Sequence, residues 1–339
     1  MNQVIQIIAL PVVVGILLFL LPSSLRMVKA IVATAVVIFT GYLAISLYGA
    51  GEYVFSPDNW VDIEKYCSFS LDGLSKLITL FVALLSLMVV IYSIKYSPSG
   101  TMRNYYAWYL ITLGFTYGAV LANNLLLFLV CWGILGISLY MLTSGRDEIS
   151  SAAAKKTLIL IGASDGIMIL GIVILWRVTG TLNMDEIKRP TSDLVRSIAC
   201  LSLLVGSFTK AGAFPFHSWV PDYSQTAPAT SSAYLPASLD KLLGIYFLAR
   251  ITTQLFIMGD WLRFVLLTIG VITIITAVMM ALVQHNYKRL LGFHAVSQVG
   301  YMIVGFGLGS LIGIAAGLFH MINNAIYKGG LFLSAGAVE

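Results

Sequence analysis

Charge is what this sequence has least of. Asp, Glu, Lys and Arg make up 10% of the 339 residues, while 59% are hydrophobic and the mean hydropathy is +0.91. A soluble domain carries roughly 25% charged residues. A water-soluble fold of this length cannot place so much apolar surface out of water, which excludes an ordinary globular domain. Cysteine is also scarce. Cys67, Cys131 and Cys200 stand far apart with no CxxC pair, so no iron–sulfur or zinc site, and no redox centre, is expected in this chain. The four histidines, His217, His285, His294 and His320, fall in no short metal-ligand spacing. No GxSxG elbow, HExxH helix, P-loop or dinucleotide fingerprint stands in its required context, which disfavours a conventional enzyme. The formal charge of +5 comes from basic residues scattered between apolar runs. It reads as membrane-flanking charge, not as a nucleic-acid surface.

What the sequence does have is apolar runs of about 20 residues, the length of a bilayer-spanning helix. Because lipid offers no partner to a backbone N–H or C=O, such runs predict helices and not open sheet. They lie near residues 3–21, 29–50, 70–94, 105–122, 124–143, 157–176, 194–213, 236–257, 262–284, 290–308 and 312–337. The expected fold is therefore all-α, a polytopic transmembrane helix bundle of about eleven crossings. The first run lacks a basic leader and a small-residue cleavage site, so it is expected to be retained as a helix. The loop from Gly51 to Ser68 carries Glu52, Asp58, Asp62 and Glu64 against one lysine, while Arg26, Lys29, Lys95 and Arg103 flank its neighbours. By the positive-inside rule that loop is extracytoplasmic. The loop Ser144 to Lys156, with Arg146, Lys155 and Lys156, is then cytoplasmic, as is the later one with Lys288 and Arg289. The basic loop from Arg177 to Arg196 falls on the outer side, against the rule.

The stretch FTKAGAFPFHSWVPDYSQTAPATSSAYLPASLDKLLGIYFLAR, Phe208 to Arg250, breaks the pattern with Pro215, Pro221, Pro228 and Pro236. Proline removes a donor and clashes with the preceding turn, so a broken helix is expected near residues 211–230, with His217 and Asp222 within it. Transporters build ion sites from such discontinuous helices.

A Lys or Asp at the centre of a membrane helix costs roughly 2.5 to 3.5 kcal/mol on insertion scales, so each needs a reason. Asp165 interrupts one apolar run, Lys210 precedes the prolines, Asp240 and Lys241 open the next helix, and Lys328 falls inside the last. His320, Asn324 and Lys328 are spaced four apart and drift only about 40° per step, forming one polar stripe. Titratable groups along a buried face are what proton transfer through a membrane interior needs. The plainer reading is helix-to-helix hydrogen bonding or snorkelling, which is weighed equally for His320 and more heavily for Lys288. His294, Gln298 and Tyr301 form a second polar line, equally open to ordinary hydrogen bonding. Asp72 and Lys76, four apart, are expected to form an intrahelical ion pair.

Three motifs carry a family resemblance: FTKAGAFPFHSWVPD, HNYKRLLGFHAVSQVGYM (His285 to Met302) and GLFHMINNAIYKGGLFLSAGAV (Gly317 to Val338). From about Tyr105 to its end the chain resembles the antiporter-like subunits shared by respiratory complex I, the multisubunit Na+/H+ antiporters and energy-converting membrane hydrogenases. LPASLDKLLGIYFLAR is most similar to the hydrogenase and ferredoxin-linked branch. The resemblance implies inverted five-helix repeats, each with a broken helix, and a row of buried lysines and histidines at mid-membrane depth. It divides the chain into N-terminal helices (1–104), a first repeat with its broken helix (105–257) and part of a second (258–339).

Carried over by position, Lys210 matches the lysine ahead of the break, and Lys241 lies at or one position from the lysine of the following helix. Lys288 matches the lysine of a DLKRLLAYS-like motif, and His320 and Lys328 match an HxxxHxxxK-like helix. With Asp165 and His294, these are the expected proton-path residues. The chain departs from the family where Gly133 follows Trp132, at the place of a glutamate that pairs with the lysine before the break. Asp165 is the expected substitute. Asn286 stands for a common aspartate and Asn324 for a common histidine. Relatives continue through about three more helices, so a truncated chain, a split gene product or a naturally short subunit is expected.

The first reading of function is a proton-translocating, antiporter-like subunit of a redox-driven inner-membrane complex, of the energy-converting hydrogenase or complex I type. It would carry no cofactor of its own, with iron–sulfur clusters and nickel–iron or flavin groups in partner subunits. The alternatives are one component of a multisubunit Na+/H+ antiporter and a non-conducting structural membrane module. Expected partners are other membrane and peripheral subunits, the lipid bilayer, and protons or Na+, with no nucleic acid.

Overall fold

The structure, a computed structural model, describes residues 2–56, 66–96, 104–143, 147–191 and 193–338. Asp58, Asp62, Glu64, Arg103 and Arg146, on which the expected orientation of the chain partly rests, lie outside the described residues. Thirteen α-helices follow one another among the described residues: α1 (Gln3–Leu20), α2 (Arg26–Gly49), α3 (Gly73–Lys95), α4 (Tyr105–Leu121), α5 (Leu125–Met141), α6 (Glu148–Thr179), α7 (Leu194–Ala211), α8 (Trp219–Thr226), α9 (Ala229–Tyr234), α10 (Asp240–Arg250), α11 (Asp260–Leu282), α12 (Tyr287–Gly307) and α13 (Leu311–Val338). Each of the predicted apolar runs coincides with helix. Seven described spans are long and apolar enough to cross a bilayer, and α5 is apolar but shorter. The fold is an all-α membrane bundle.

The described connections between the long helices gather at two ends of the bundle. One end holds the links on either side of β1 (Tyr53–Phe55) and β2 (Phe69–Leu71), which pair antiparallel with Tyr53 opposite Leu71. The same end holds β3 (Arg189–Pro190), paired in parallel with β4 (Phe256–Ile257). Asn123 joins these links by donating to Ser68 Oγ (3.1 Å) and Asp185 Oδ1 (2.7 Å). The opposite end carries Lys155, Lys156, Lys288 and Arg289. For the described residues of these loops, this separation matches the predicted placing of the 51–68 and 177–196 loops on one side and of Lys155, Lys156, Lys288 and Arg289 on the other.

Two expected loops are shorter than the sequence suggested. Asp147 caps α6 by accepting from the Ser150 N–H at 2.9 Å, so α6 begins at Glu148 and carries Lys155 and Lys156 on its own surface. Arg177 likewise belongs to the last turn of α6, and Arg196 to the first turn of α7.

The expected Asp72–Lys76 pair does not form. Asp72 is the N-cap of α3, and its capping box with Ser75 turns the carboxylate back off the helix, away from residue 76. It accepts instead from both terminal nitrogens of Arg250, at 2.9 Å for Nη2–Oδ1. Lys76 Nζ donates to the Ala50 carbonyl.

The broken helix is present, and the prolines explain its form. α7 stops at Gly212, whose φ of +83° lies in the left-handed region and whose N–H returns to the Phe208 carbonyl at 2.9 Å. The connection contains Pro215 and His217. Pro221 and Asp222 follow in the first turn of α8, where a missing N–H leaves no helical bond unmade. Pro228 is the N-cap of α9. Pro236 does not break the next span. α9 and α10 form one helix over 229–255, and Pro236 sits in its π-helical segment Leu235–Leu239. The wider π turn accommodates the proline ring.

Candidate functional site

The most buried charges of the bundle meet where α7 stops. Lys210 occupies the last turn of α7, the end at which a helix dipole favours a cation. Its Nζ stands 3.6 Å from Asp240 Oδ1, and both side chains are almost fully buried. Two features bring α7 and α10 this close. A Cβ on Gly244 would lie 2.6 Å from the Ala211 nitrogen, so only glycine lets the two backbones touch one turn beyond Asp240. Ser207 Oγ then donates to the Gly244 carbonyl at 2.8 Å.

Lys210 has two further contacts, both with Trp132 on α5. Its Nζ donates to the Trp132 carbonyl at 3.3 Å and lies 4.9 Å from the centre of the indole. The indole Nε1 in turn donates to Asp165 Oδ1 on α6 at 2.9 Å. Asp165 therefore does not take the place of the missing glutamate as the direct ion partner of Lys210. That partner is Asp240, while Asp165 lies within electrostatic reach of the lysine and accepts from the Trp132 indole that packs on the lysine. The π segment before Asp240 sets its orientation, a feature that an ideal 3.6-residue count along the sequence misses. The available signal was an aspartate opening a predicted span directly before a lysine.

From Asp240 the row continues through its neighbour. Lys241 points the other way and donates from Nζ to the Ala295 carbonyl of α12 at 2.6 Å. Lys328 on α13 is 1% exposed and lies within electrostatic reach of Lys241. Asn324, one turn before it, is fully buried and donates to Tyr327 Oη at 2.8 Å, while its own carbonyl oxygen has no hydrogen-bond partner among the described residues. One further turn back, His320 Nε2 is 2.9 Å from Gln298 Oε1 of α12, and its ring packs edge-on against Tyr301. His294 lies on the exposed face of α12, yet within electrostatic reach of Lys241 and Lys328. The expected stripe on α13 and the polar line on α12 thus face each other at His320 and Gln298.

Other expected residues stand apart from this row. Lys288, at the start of α12, donates to the Ala227 carbonyl at 3.0 Å, beside the turn that carries Pro228. Asp222 on α8 pairs with Lys156 at 2.7 Å and Arg289 at 3.4 Å, on a partly exposed surface. His217 is buried, with its ring stacked on Phe214 and Nδ1 without a hydrogen-bond partner among the described residues. Among the described residues no group of three or more His, Cys, Asp or Glu side chains is placed to hold a metal ion.

Chemically, the row combines buried cations with a carboxylate and hydrogen-bonding groups, and burial makes each charge strongly alter the energy of the next. It runs from α6 through α5, α7 and α10 to α12 and α13.

Comparison with known proteins gives the family and the fold likeness of the chain. Residues 122–339 match the family described as "NADH:quinone oxidoreductase/Mrp antiporter, TM". Among curated relatives, Na(+)/H(+) antiporter subunit A1 of Staphylococcus haemolyticus is 32% identical over 90% of this chain and 40% of its own length. The corresponding Na(+)/H(+) antiporter protein of Alkalihalophilus pseudofirmus is 33% identical over 79% of this chain and 36% of its own. The chain thus spans about two fifths of the length of these relatives. Among solved structures, a chain of the Mrp complex from Dietzia sp. covers 99% of this chain with a TM-score of 0.90 at 23% identity, this chain spanning 64% of that one. A chain of respiratory complex I from Thermus thermophilus covers 97%, with a TM-score of 0.79 at 23% identity and 69% of its own length matched. These two likenesses are of fold. By its sequence match, the chain belongs to the NADH:quinone oxidoreductase/Mrp antiporter transmembrane family.

Proposed function

We propose that this chain is the lysine-bearing, proton-conducting part of a multisubunit Na+/H+ antiporter in the cytoplasmic membrane. The observation that carries the reading is the buried Lys210–Asp240 pair at the helix break, continued by Lys241 and Lys328. A paired lysine next to an unpaired one can pass charge by electrostatics alone: a proton arriving at Asp240 releases Lys210, and a change of charge on Lys241 alters the pair beside it. The names of the curated relatives support Na+/H+ exchange as the coupled process, which was the alternative reading of the sequence.

A redox-driven assembly is the second reading, favoured by likeness of fold to complex I and to a chain of the membrane-bound sulfane sulfur reductase, which has a TM-score of 0.86 at 24% identity. In that case iron–sulfur, nickel–iron or flavin groups would belong to partner subunits, and this chain would hold none. The test is Na+-induced proton movement in everted vesicles from antiporter-deficient cells that express the whole assembly. Exchange without any electron donor supports the antiporter. Proton movement that needs an electron donor and ignores Na+ would favour the redox pump.

A further inference from the structure

At the end of the bundle that carries the short strands, the close of the 229–255 helix, the start of α11 and the α12–α13 link line a half-open cavity of about 320 Å³. Its charged lining consists of Lys188 and Arg263, with no acidic side chain. Phe256, Ile257, Phe306 and Ile314 supply apolar walls. Thr252 and Thr253 also face it, but their hydroxyls donate to the Leu248 and Ala249 carbonyls, which leaves the two cations as the free donors.

Arg263 is held in an unusual way. Its guanidinium lies on Gly309, where φ is +63° and an added Cβ would stand 2.8 Å from Cζ. Its Nε is buried with no hydrogen-bond partner among the described residues. It also sits in the first turns of α11, where the helix dipole disfavours a cation. Asp260, one turn earlier, forms no ion pair with it among the described residues. A guanidinium with a buried, unsatisfied N–H and no counter-ion is completed by an anion, and the planar fork of arginine fits phosphate best.

We propose that this cavity binds the phosphate headgroup of an anionic phospholipid, held by Arg263 and Lys188, with the acyl chains lying along the exposed Ile257, Phe264 and Leu311. The arginine fork and an ammonium together match the charge and oxygen geometry of a phosphodiester, and the neighbouring apolar surface matches its acyl chains. A free phosphate ion shares the headgroup chemistry but gains nothing from the apolar rim. The site is independent of the ion that the assembly exchanges.

The test is native mass spectrometry of the delipidated, purified assembly, titrated with phosphatidylglycerol, phosphatidylcholine or inorganic phosphate in mixed micelles. The wild type is expected to hold one phosphatidylglycerol more tightly than any phosphatidylcholine. Arg263→Gln and Lys188→Gln should each weaken that lipid by about fivefold, equivalent to roughly 1 kcal/mol. Unchanged phosphatidylglycerol retention in both variants would overturn the site. Displacement of the lipid by millimolar inorganic phosphate would overturn a lipid occupant. Lys188 is exposed, so its variant decides the matter even if Arg263→Gln fails to assemble.

Discussion

Lys210 Nζ and Asp240 Oδ1 lie 3.6 Å apart at the point where α7 and α10 touch backbone to backbone, at Ala211 and Gly244. The distance is an ion pair but not a direct hydrogen bond, and neither carboxylate oxygen of Asp240 has a hydrogen-bond partner among the described residues. A pair held this loosely is bound by charge more than by geometry. A change in the protonation state of either partner would remove the attraction that holds them together, as the proposed relay needs.

Breaking the pair from one side should be far worse than removing it. Asp240→Asn leaves Lys210 buried without its counter-ion, a loss of about 3 to 5 kcal/mol. The double variant Lys210→Met with Asp240→Leu should recover most of that stability while remaining inactive. Thermal unfolding of the purified assembly measures both. Equal Tm values for wild type and Asp240→Asn would show that the pair carries no charge.

Lys241 separates stability from activity. Its ammonium is buried with the Ala295 carbonyl as its hydrogen-bond acceptor, so Lys241→Met is expected to leave Tm unchanged or raise it. Transport should fall by about 100-fold, the scale of a lost proton-transfer group. A variant with normal exchange would remove Lys241 from the path.

The α7–α10 contact should be as sensitive as the charges it aligns. Gly244→Ala sets a methyl against backbone, which cannot swing aside, so the helices must separate and the Lys210–Asp240 distance must grow. The expected overpacking loss is about 1 to 3 kcal/mol, with exchange reduced in parallel. Normal unfolding and normal exchange in this variant would contradict the packing described.

Much of this architecture was legible in the sequence because lipid simplifies the problem. Where water is excluded, an apolar run has little choice but helix, and Pro215, Pro221 and Pro228 announce the discontinuity, while Pro236 falls inside a continuous helix. The partnering of charges was less legible. Asp240 was visible as an aspartate opening a predicted span, but its direction depends on a π segment around Pro236 that sequence periodicity does not encode. Asp72 looked like a partner for Lys76 because the two are four residues apart. Its capping role instead freed it to meet Arg250, 178 positions away. Helix existence follows from local composition, whereas ion partners follow from packing between distant helices.

The Trp132 indole donates to Asp165, and Trp132→Phe keeps an aromatic ring while removing the donor. Stability should fall by about 1 kcal/mol, the typical worth of one hydrogen bond. Exchange should slow, and the losses from Trp132→Phe and Asp165→Asn should be less than additive, since both changes remove the hydrogen bond between the two side chains. Fully additive effects in the double variant would show that Asp165 acts independently of Trp132.

Whether protons cross by the buried lysines is decided most directly by proton flux into proteoliposomes containing the whole purified assembly, driven by an imposed Na+ gradient with no electron donor present. A lysine relay predicts a pH change in the lumen that collapses with Lys210→Gln while the variant assembly retains its full set of subunits. Undiminished flux through Lys210→Gln would contradict it, because protons would then cross by a route that does not use the buried lysine at the helix break.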